Sequence, residues 1–247
     1  QAARNSGGKV ICQVKRLAQG KSLNPRSIEV PGILVDAVVV DANQKQTYQD
    51  EFNPYYTGQV KAPLAAIDPM PMSERKVITR RAAMELGKGM VVNLGFGMPD
   101  GVATILAEEN CDQHVHLTME MGVIGGIPAR GDIFGAAVNP VAIISQTSQF
   151  DFYAGGGLDI AFLGCGQVDC HGNVNVSKLG SIYSGVGGFI DISQGAKKVV
   201  FCGSLTAGGL NVVICDGKLQ IKQEGKYKKF VEKVSHVSFN LGKRLYM

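Results

Sequence analysis

Glu120 closes the segment Val115-His116-Leu117-Thr118-Met119-Glu120, in which apolar and polar residues alternate, and the small-residue stretch Met121-Gly122-Val123-Ile124-Gly125-Gly126 follows it. Period-two alternation is the pattern of a strand with one covered face, and the glycines mark a turn. A carboxylate at that junction is held at the carboxyl edge of a sheet, where ligands bind in open α/β folds. That place makes Glu120 a candidate for chemistry. The pattern alone also fits, and more simply, a carboxylate that caps a neighbouring helix or pairs with a lysine, so both readings stand at this point.

Two glycine runs are the other groups with chemical potential. Gly95-Phe96-Gly97-Met98-Pro99-Asp100 lies between the apolar run Met90 to Leu94 and a helix expected from Asp100 to about Glu109. Free backbone N–H groups and a helix dipole there would face a bound phosphate or carboxylate. The run lacks the third glycine of the dinucleotide fingerprint, so a ligand loop and a plain tight connection both remain. In Tyr153-Ala154-Gly155-Gly156-Gly157-Leu158-Asp159 three successive glycines precede a strand. They would let backbone come close to another group and offer an N–H to an oxyanion, or else form a flexible turn. The polar loop Gly164 to Asn175 suits a ligand or a subunit contact.

Other chemistries fit less well. Ser145, Ser148 and Ser177 sit in no nucleophile-elbow sequence, and His171 lies in an Asp-Cys-His-Gly-Asn turn typical of an exposed loop. Cys165, Cys170 and His171 lack the further ligands a metal site needs, so no metal is expected. The six cysteines lie mostly in apolar runs without a CxxC pair, which suits free thiols in a reducing cytoplasm. There is no run of about 18 apolar residues and no cleavable signal pattern, so neither membrane insertion nor secretion is indicated. A net charge of +4, with lysines gathered from Lys218 to Lys233, suits an anionic ligand and is too small to argue for nucleic acid.

The elements that would position these groups follow from the same periodicities. The chain has 247 residues, 45% hydrophobic, with 32 glycines, enough for one large domain or one and a fraction. Strand-like runs at Val10 to Val14 and Ile33 to Val40 flank an Asn24-Pro25 turn, and both ends of the chain look abrupt. Residues 1–42 therefore read as the closing part of an N-terminal domain, 43–72 as a polar, proline-rich linker, and 73–247 as a C-terminal domain, itself cut short. In that domain a helix capped by Ser73 runs to about Lys88, and strands are expected at Met90 to Leu94, Val115 to Glu120, Val141 to Ser145, Asp159 to Gly164 and Lys198 to Gly203. Two more, Val212 to Asp216 and Leu219 to Lys222, flank the Asp216-Gly217 turn, and a last helix is expected from about Tyr227 to Val234. Several of these runs lack polar alternation, as strands covered on both faces do. The fold class is α/β, an open and mostly parallel sheet with helices on both faces and an antiparallel edge pair at Asp216-Gly217.

Leu117-Thr118-Met119-Glu120-Met121-Gly122-Val123-Ile124-Gly125-Gly126, the run Gly155 to Asp159, and Leu163-Gly164-Cys165-Gly166-Gln167-Val168-Asp169 with Gly172-Asn173 together resemble the family I coenzyme A transferases, the acetate and propionate type above all. Asn5-Ser6-Gly7-Gly8 with Gln13-Val14-Lys15-Arg16 is similar to the end of their N-terminal domain, so the resemblance spans nearly the whole chain. It implies a nucleophilic glutamate at Glu120. It also implies an oxyanion-binding glycine at Gly156, with Gly155 and Gly157 beside it, and a coenzyme A loop at Gly95, Gly97 and Pro99. Met119-Glu120-Met121-Gly122 stands where 3-oxoacid members read Ser-Glu-Asn-Gly, and no role is carried to those substituted neighbours. The resemblance further implies an acyl-CoA and a short-chain carboxylic acid as substrates, coenzyme A as substrate with no permanently bound cofactor, and a homo-oligomer in the cytoplasm. Two other functions suit the same sheet: a sugar-phosphate isomerase whose glycine turns hold phosphate, and a non-catalytic sensor of acyl-CoA or sugar phosphate.

Overall fold

A computed structural model of the protein describes residues 1–63 and 68–243. The chain divides into two units, Gln1–Asn53 and Pro54–Met247. In the first, helix α1 (Ala2–Asn5) precedes β1 (Ile11–Val14), which pairs in parallel with β2 (Ala37–Val40) from Ile11↔Ala37 to Val14↔Val40. Asp36 ties this pair together, accepting from Val10 N at 2.9 Å and from Arg4 Nη1 at 2.7 Å. The expected strand at Ile33 to Val40 begins only at Ala37, because Gly32–Leu34 after Pro31 closes a single 3₁₀ turn.

The second unit opens with α2 (Glu74–Ala83), whose cap is Ser73 as expected: its Oγ accepts from Lys76 N at 3.3 Å. The helix stops short of the expected Lys88, and the chain turns through Gly89 at φ 79° into β3 (Val91–Leu94). Next come α3 (Gly101–Glu108) and β4 (His116–Met119), then the antiparallel β5 (Val123–Ile124). A small pair, β6 (Ile127–Pro128) and β7 (Ala137–Val138), leads to β8 (Ala142–Ile143). Two helices that the sequence reading did not place follow in this half: α4 (Gln146–Phe152), running into a π turn over Tyr153–Gly157, and, after β9 (Ile160–Gly164), α5 (Phe189–Gly195). Between β9 and α5 lie two short hairpins, β10 (Gln167–Val168) with β11 (Val174–Asn175) and β12 (Lys178–Leu179) with β13 (Ile182–Tyr183).

With β14 (Lys198–Cys202) the main sheet is complete in the order β14-β9-β3-β4-β5-β8, and its first four strands are parallel. Residues alternate between its two faces. Val92, Leu94, Leu117, Ile160 and Phe162 pack with Ala82 of α2 and Val102, Ala103 and Leu106 of α3. Ala161, Leu163, Val199 and Phe201 face the other way, against Tyr153, Leu158, Phe189 and Ile192. Helices therefore cover both faces, which is why β3 and β9 read as apolar runs. Lys76 to Glu108 at 2.7 Å and Arg80 to Glu109 at 2.7 Å fasten α2 to α3.

Two sequence expectations need correction. The Asp216-Gly217 hairpin, β16 (Asn211–Cys215) with β17 (Lys218–Gln223), forms its own two-stranded sheet rather than an edge of the main one. Its left-handed Asp216 and Gly217, at φ 52° and 71°, are what a tight two-residue turn requires. The helix expected over Tyr227 to Val234 is absent: β18 (Tyr227–Lys228) pairs with β15 (Thr206–Ala207), and Lys229 N and Val231 N donate to the carbonyls of Leu205 and Val168. Those long-range partners take the N–H groups a helix would have used. No described helix is long and apolar enough to cross a membrane.

Candidate active site

Glu120 stands one residue beyond β4, at the edge of the sheet where the parallel strands end. The chain then reverses into β5, and Gly122 makes this possible. Its φ is 102°, its N–H donates to the Met119 carbonyl at 3.0 Å, and a Cβ there would collide with the carbonyl oxygen of Ile144. Along the strand His116, Thr118 and Glu120 share one face, the face covered by α4 and α5.

Two groups close on the carboxylate. A Cβ built on Gly188, the residue before α5, would overlap Glu120 Oε2 and lie 2.6 Å from Phe150 Cζ of α4. The absence of a side chain at 188 is therefore what leaves room for Glu120. The carboxylate is half-buried, and burial raises its pKa above the ordinary 4.5. Among the described residues no hydrogen bond or ion pair to it occurs, so nothing offsets that burial. Such a carboxylate is poorly solvated, and its charged form is disfavoured.

Gly95 and Gly97 lie at the end of β3, beside β4, so this loop and Glu120 occupy the same edge of the sheet. Gly95 N donates to the Phe162 carbonyl at 2.9 Å, and a Cβ on Gly95 would press on that same oxygen at 3.0 Å. Gly97, at φ 89°, faces open space. Pro99 precedes the helix, which begins at Gly101. The loop is pinned from α2: Arg75 Nη2 donates to the Gly97 carbonyl at 2.7 Å and pairs with the buried Asp100.

Gly155, Gly156 and Gly157 lie elsewhere. They precede β9, on the side of the sheet where Asp159 accepts from Val91 N at 2.8 Å, at the start of β3. A Cβ on Gly195, at the end of α5, would touch the Tyr153 carbonyl at 2.9 Å, whereas Gly188 at the other end meets Glu120. Seven helical residues at 1.5 Å each separate the two ends by about 10 Å. Cβ atoms on Gly155 and Gly156 would face open space, and one on Gly157 would strike the Phe152 ring. The structure thus gives Glu120 a different glycine neighbour, from Gly185-Val186-Gly187-Gly188-Phe189. The signal for it was present in the sequence as three glycines within four residues ahead of an apolar helix start.

His171 is exposed, and its turn is held by Asp169, which accepts from His171 N and Asn173 N at 3.0 Å each. Among the described residues no group of three or more His, Cys, Asp or Glu is placed to hold a metal ion.

No family model matches the chain. It is 46% identical over 241 residues to the acetate CoA-transferase YdiF of Escherichia coli O157:H7, covering 97% of this chain and 45% of that protein. It is 47% identical over 248 residues to the caffeate CoA-transferase of Acetobacterium woodii, covering 97% and 47%. The solved YdiF acyl-CoA transferase from E. coli O157:H7, as a thioester complex with CoA, superposes with a TM-score of 0.85 at 44% identity, over 97% of this chain and 44% of that one. The chain spans just under half the length of these relatives.

Proposed function

We propose that the chain is part of a family I coenzyme A transferase, and that it moves coenzyme A between a short-chain acyl-CoA and a free carboxylate with Glu120 as covalent nucleophile; the relatives that support this are 46–47% identical over 97% of the chain. The observation that carries this reading is the Glu120 carboxylate itself, half-buried at the sheet edge, without a donor or cation among the described residues, against a glycine whose missing side chain makes room for it.

In this mechanism a Glu120 oxygen attacks the thioester carbonyl carbon, the C–S bond breaks, and coenzyme A leaves as thiolate. The thiolate then attacks the glutamyl carbon of the resulting anhydride. The donor acid departs as carboxylate, and Glu120 carries coenzyme A as a thioester. An acceptor carboxylate repeats the two steps in reverse and restores Glu120. Every step exchanges one acyl bond for another, so coenzyme A serves as substrate and the scheme calls on no permanent cofactor. Each tetrahedral oxyanion needs backbone donors, whose loss costs about 10²- to 10³-fold in rate. We assign that part to the Gly187-Gly188 turn, beside the carboxylate, rather than to Gly156 at the far end of α5. Gly95, Gly97 and Pro99 remain the proposed coenzyme A loop, on the same edge as Glu120. A homo-oligomer in the cytoplasm completes the proposal, and the unpaired state of all six cysteines suits that compartment.

The test is to incubate the complete enzyme with acetyl-CoA and digest it. The peptide containing Glu120 should gain a coenzyme A adduct that hydroxylamine removes, and Glu120→Ala should gain none. An unmodified peptide, or full exchange activity in Glu120→Ala, overturns the reading.

A further inference from the structure

On the face of the sheet that carries Glu120 runs a series of buried hydrogen bonds that the transfer scheme does not use. Asn93 of β3 and Thr118 of β4 are register partners, and both are almost wholly buried. Tyr153, with no exposed surface, reaches them from the turn after α4. Its Oη lies 2.6 Å from Thr118 Oγ1 and 3.1 Å from Asn93 Nδ2.

The supply of protons fixes the direction of these bonds. Thr118 has one hydroxyl proton and donates it to the Val92 carbonyl at 2.8 Å, so toward Tyr153 it accepts. The single proton of Tyr153 is thereby committed to Thr118. Only a donor can then face the phenol oxygen from Asn93, which sets that amide with Nδ2 inward. The series runs from Asn93 to Tyr153 to Thr118 to Val92.

Stability alone does not account for the cluster. Among the described residues Asn93 Oδ1 and both amide atoms of Gln149, one helical turn before Tyr153, are buried without a hydrogen-bond partner, and an orphaned buried polar group costs roughly 1–3 kcal/mol. Gln149 lies near enough to polarise the phenol but outside hydrogen-bond geometry. Burial pushes the phenol pKa up, and the Glu120 charge pushes it further, so the two groups sit within each other's field. Phe150 spans them, its ring 5.9 Å from that of Tyr153 and its edge at Gly188 beside the carboxylate.

From this geometry we infer that Tyr153 is a positioning residue for Glu120: the phenol, its proton held by Thr118, lines the buried side of the site with a group that cannot donate to the carboxylate, and holds the Asn93 amide away from it. A hydrogen bond to the carboxylate would stabilise its charge and blunt the nucleophile. Asn93 is the register partner of Thr118, and Glu120 lies two positions beyond Thr118 on the same face. The inference rests on Glu120 being the nucleophile. The titratable groups on the elements around Glu120 are His116 of β4, Asp151 and Tyr153 from α4 and its turn, and Asp191 of α5, and of these only Tyr153 is buried.

The experiment compares Tyr153→Phe, Thr118→Val and Thr118→Ser in the complete enzyme, by steady-state exchange and by the pH dependence of carbodiimide labelling at Glu120, which needs no turnover. Tyr153→Phe frees the Asn93 amide, and Thr118→Val frees the Tyr153 proton; on this inference either becomes a donor toward Glu120. Both variants should lower kcat about tenfold or more while KM for acyl-CoA stays within about twofold, and both should move the labelling midpoint to lower pH. Thr118→Ser, which keeps the hydroxyl, should retain wild-type values. If Tyr153→Phe fails to fold, Thr118→Val against Thr118→Ser decides. An unchanged midpoint and kcat in the variants overturns the inference, even where melting temperature falls. A shifted midpoint in an enzyme whose wild type forms no coenzyme A adduct supports the positioning and overturns the transfer reading instead.

Discussion

A carboxylate keeps its charge at little cost only in water or beside a cation, and Glu120 has neither in full. What shapes its surroundings is the side chain missing at Gly188. The backbone there has φ −74° and ψ −5°, which any residue adopts, so Gly188→Ala introduces no backbone strain. It introduces only a methyl where Glu120 and Phe150 already lie. The expected result is a loss of kcat of roughly 10²-fold, the order that a displacement of about 1 Å produces, with melting temperature little changed. Rapid-quench measurement of adduct formation alongside a thermal melt checks this, and an active Gly188→Ala would show that the glycine does not set the carboxylate's position.

At the scale of elements, the parallel strands bring two loops to one edge, and Arg75 of α2 holds one of them. It donates to the Gly97 carbonyl and pairs with Asp100, whose side chain is 2% exposed while that of Arg75 is 32% exposed. Arg75→Met strands the Asp100 carboxylate, at a cost of about 2–3 kcal/mol once the partial exposure of Arg75 discounts the buried-pair figure. Urea unfolding should show that loss, and KM for acyl-CoA should rise more than kcat falls because the loop relaxes. The parallel strands β3, β4, β9 and β14, the β16–β17 hairpin and the first two helices of the larger unit were legible because period, cap and turn glycine are written within a few residues of one another. Ser73, Gly122 and Asp216-Gly217 are such local marks. The Tyr227 to Val234 segment was misread for the opposite reason: its lysines and apolar residues fit a helix, while its backbone partners, Leu205 and Val168, lie far away in sequence.

For the whole molecule, burial of Glu120 links activity to stability. Its folded pKa is raised above the ordinary 4.5 by desolvation, so the folded state favours the protonated form. The associated stability is fully present below the unfolded value and is lost as pH rises through the raised folded value. Glu120→Gln cannot suffer that loss. It should therefore melt higher than wild type at neutral pH, and the gap should close as pH falls below about 4.5. Calorimetry across that range reads it directly; equal melting temperatures at neutral pH would mean that the carboxylate carries no unrelieved burial.

The sequence by itself determined the α/β class, the parallel strands and the place of Glu120 at a strand end, since each depends on short-range periodicity and turn chemistry. Family resemblance, carried by the residues around Glu120, added the proposal that it is the nucleophile. Tertiary structure decided which residues surround it. Gly188 stands against the carboxylate, Gly156 lies about a helix length away, and the Tyr153 hydroxyl reaches across to Thr118 and Asn93. These are contacts between segments distant in the chain. They are set by how α4 and α5 pack on one face of the sheet, and no local pattern encodes that packing.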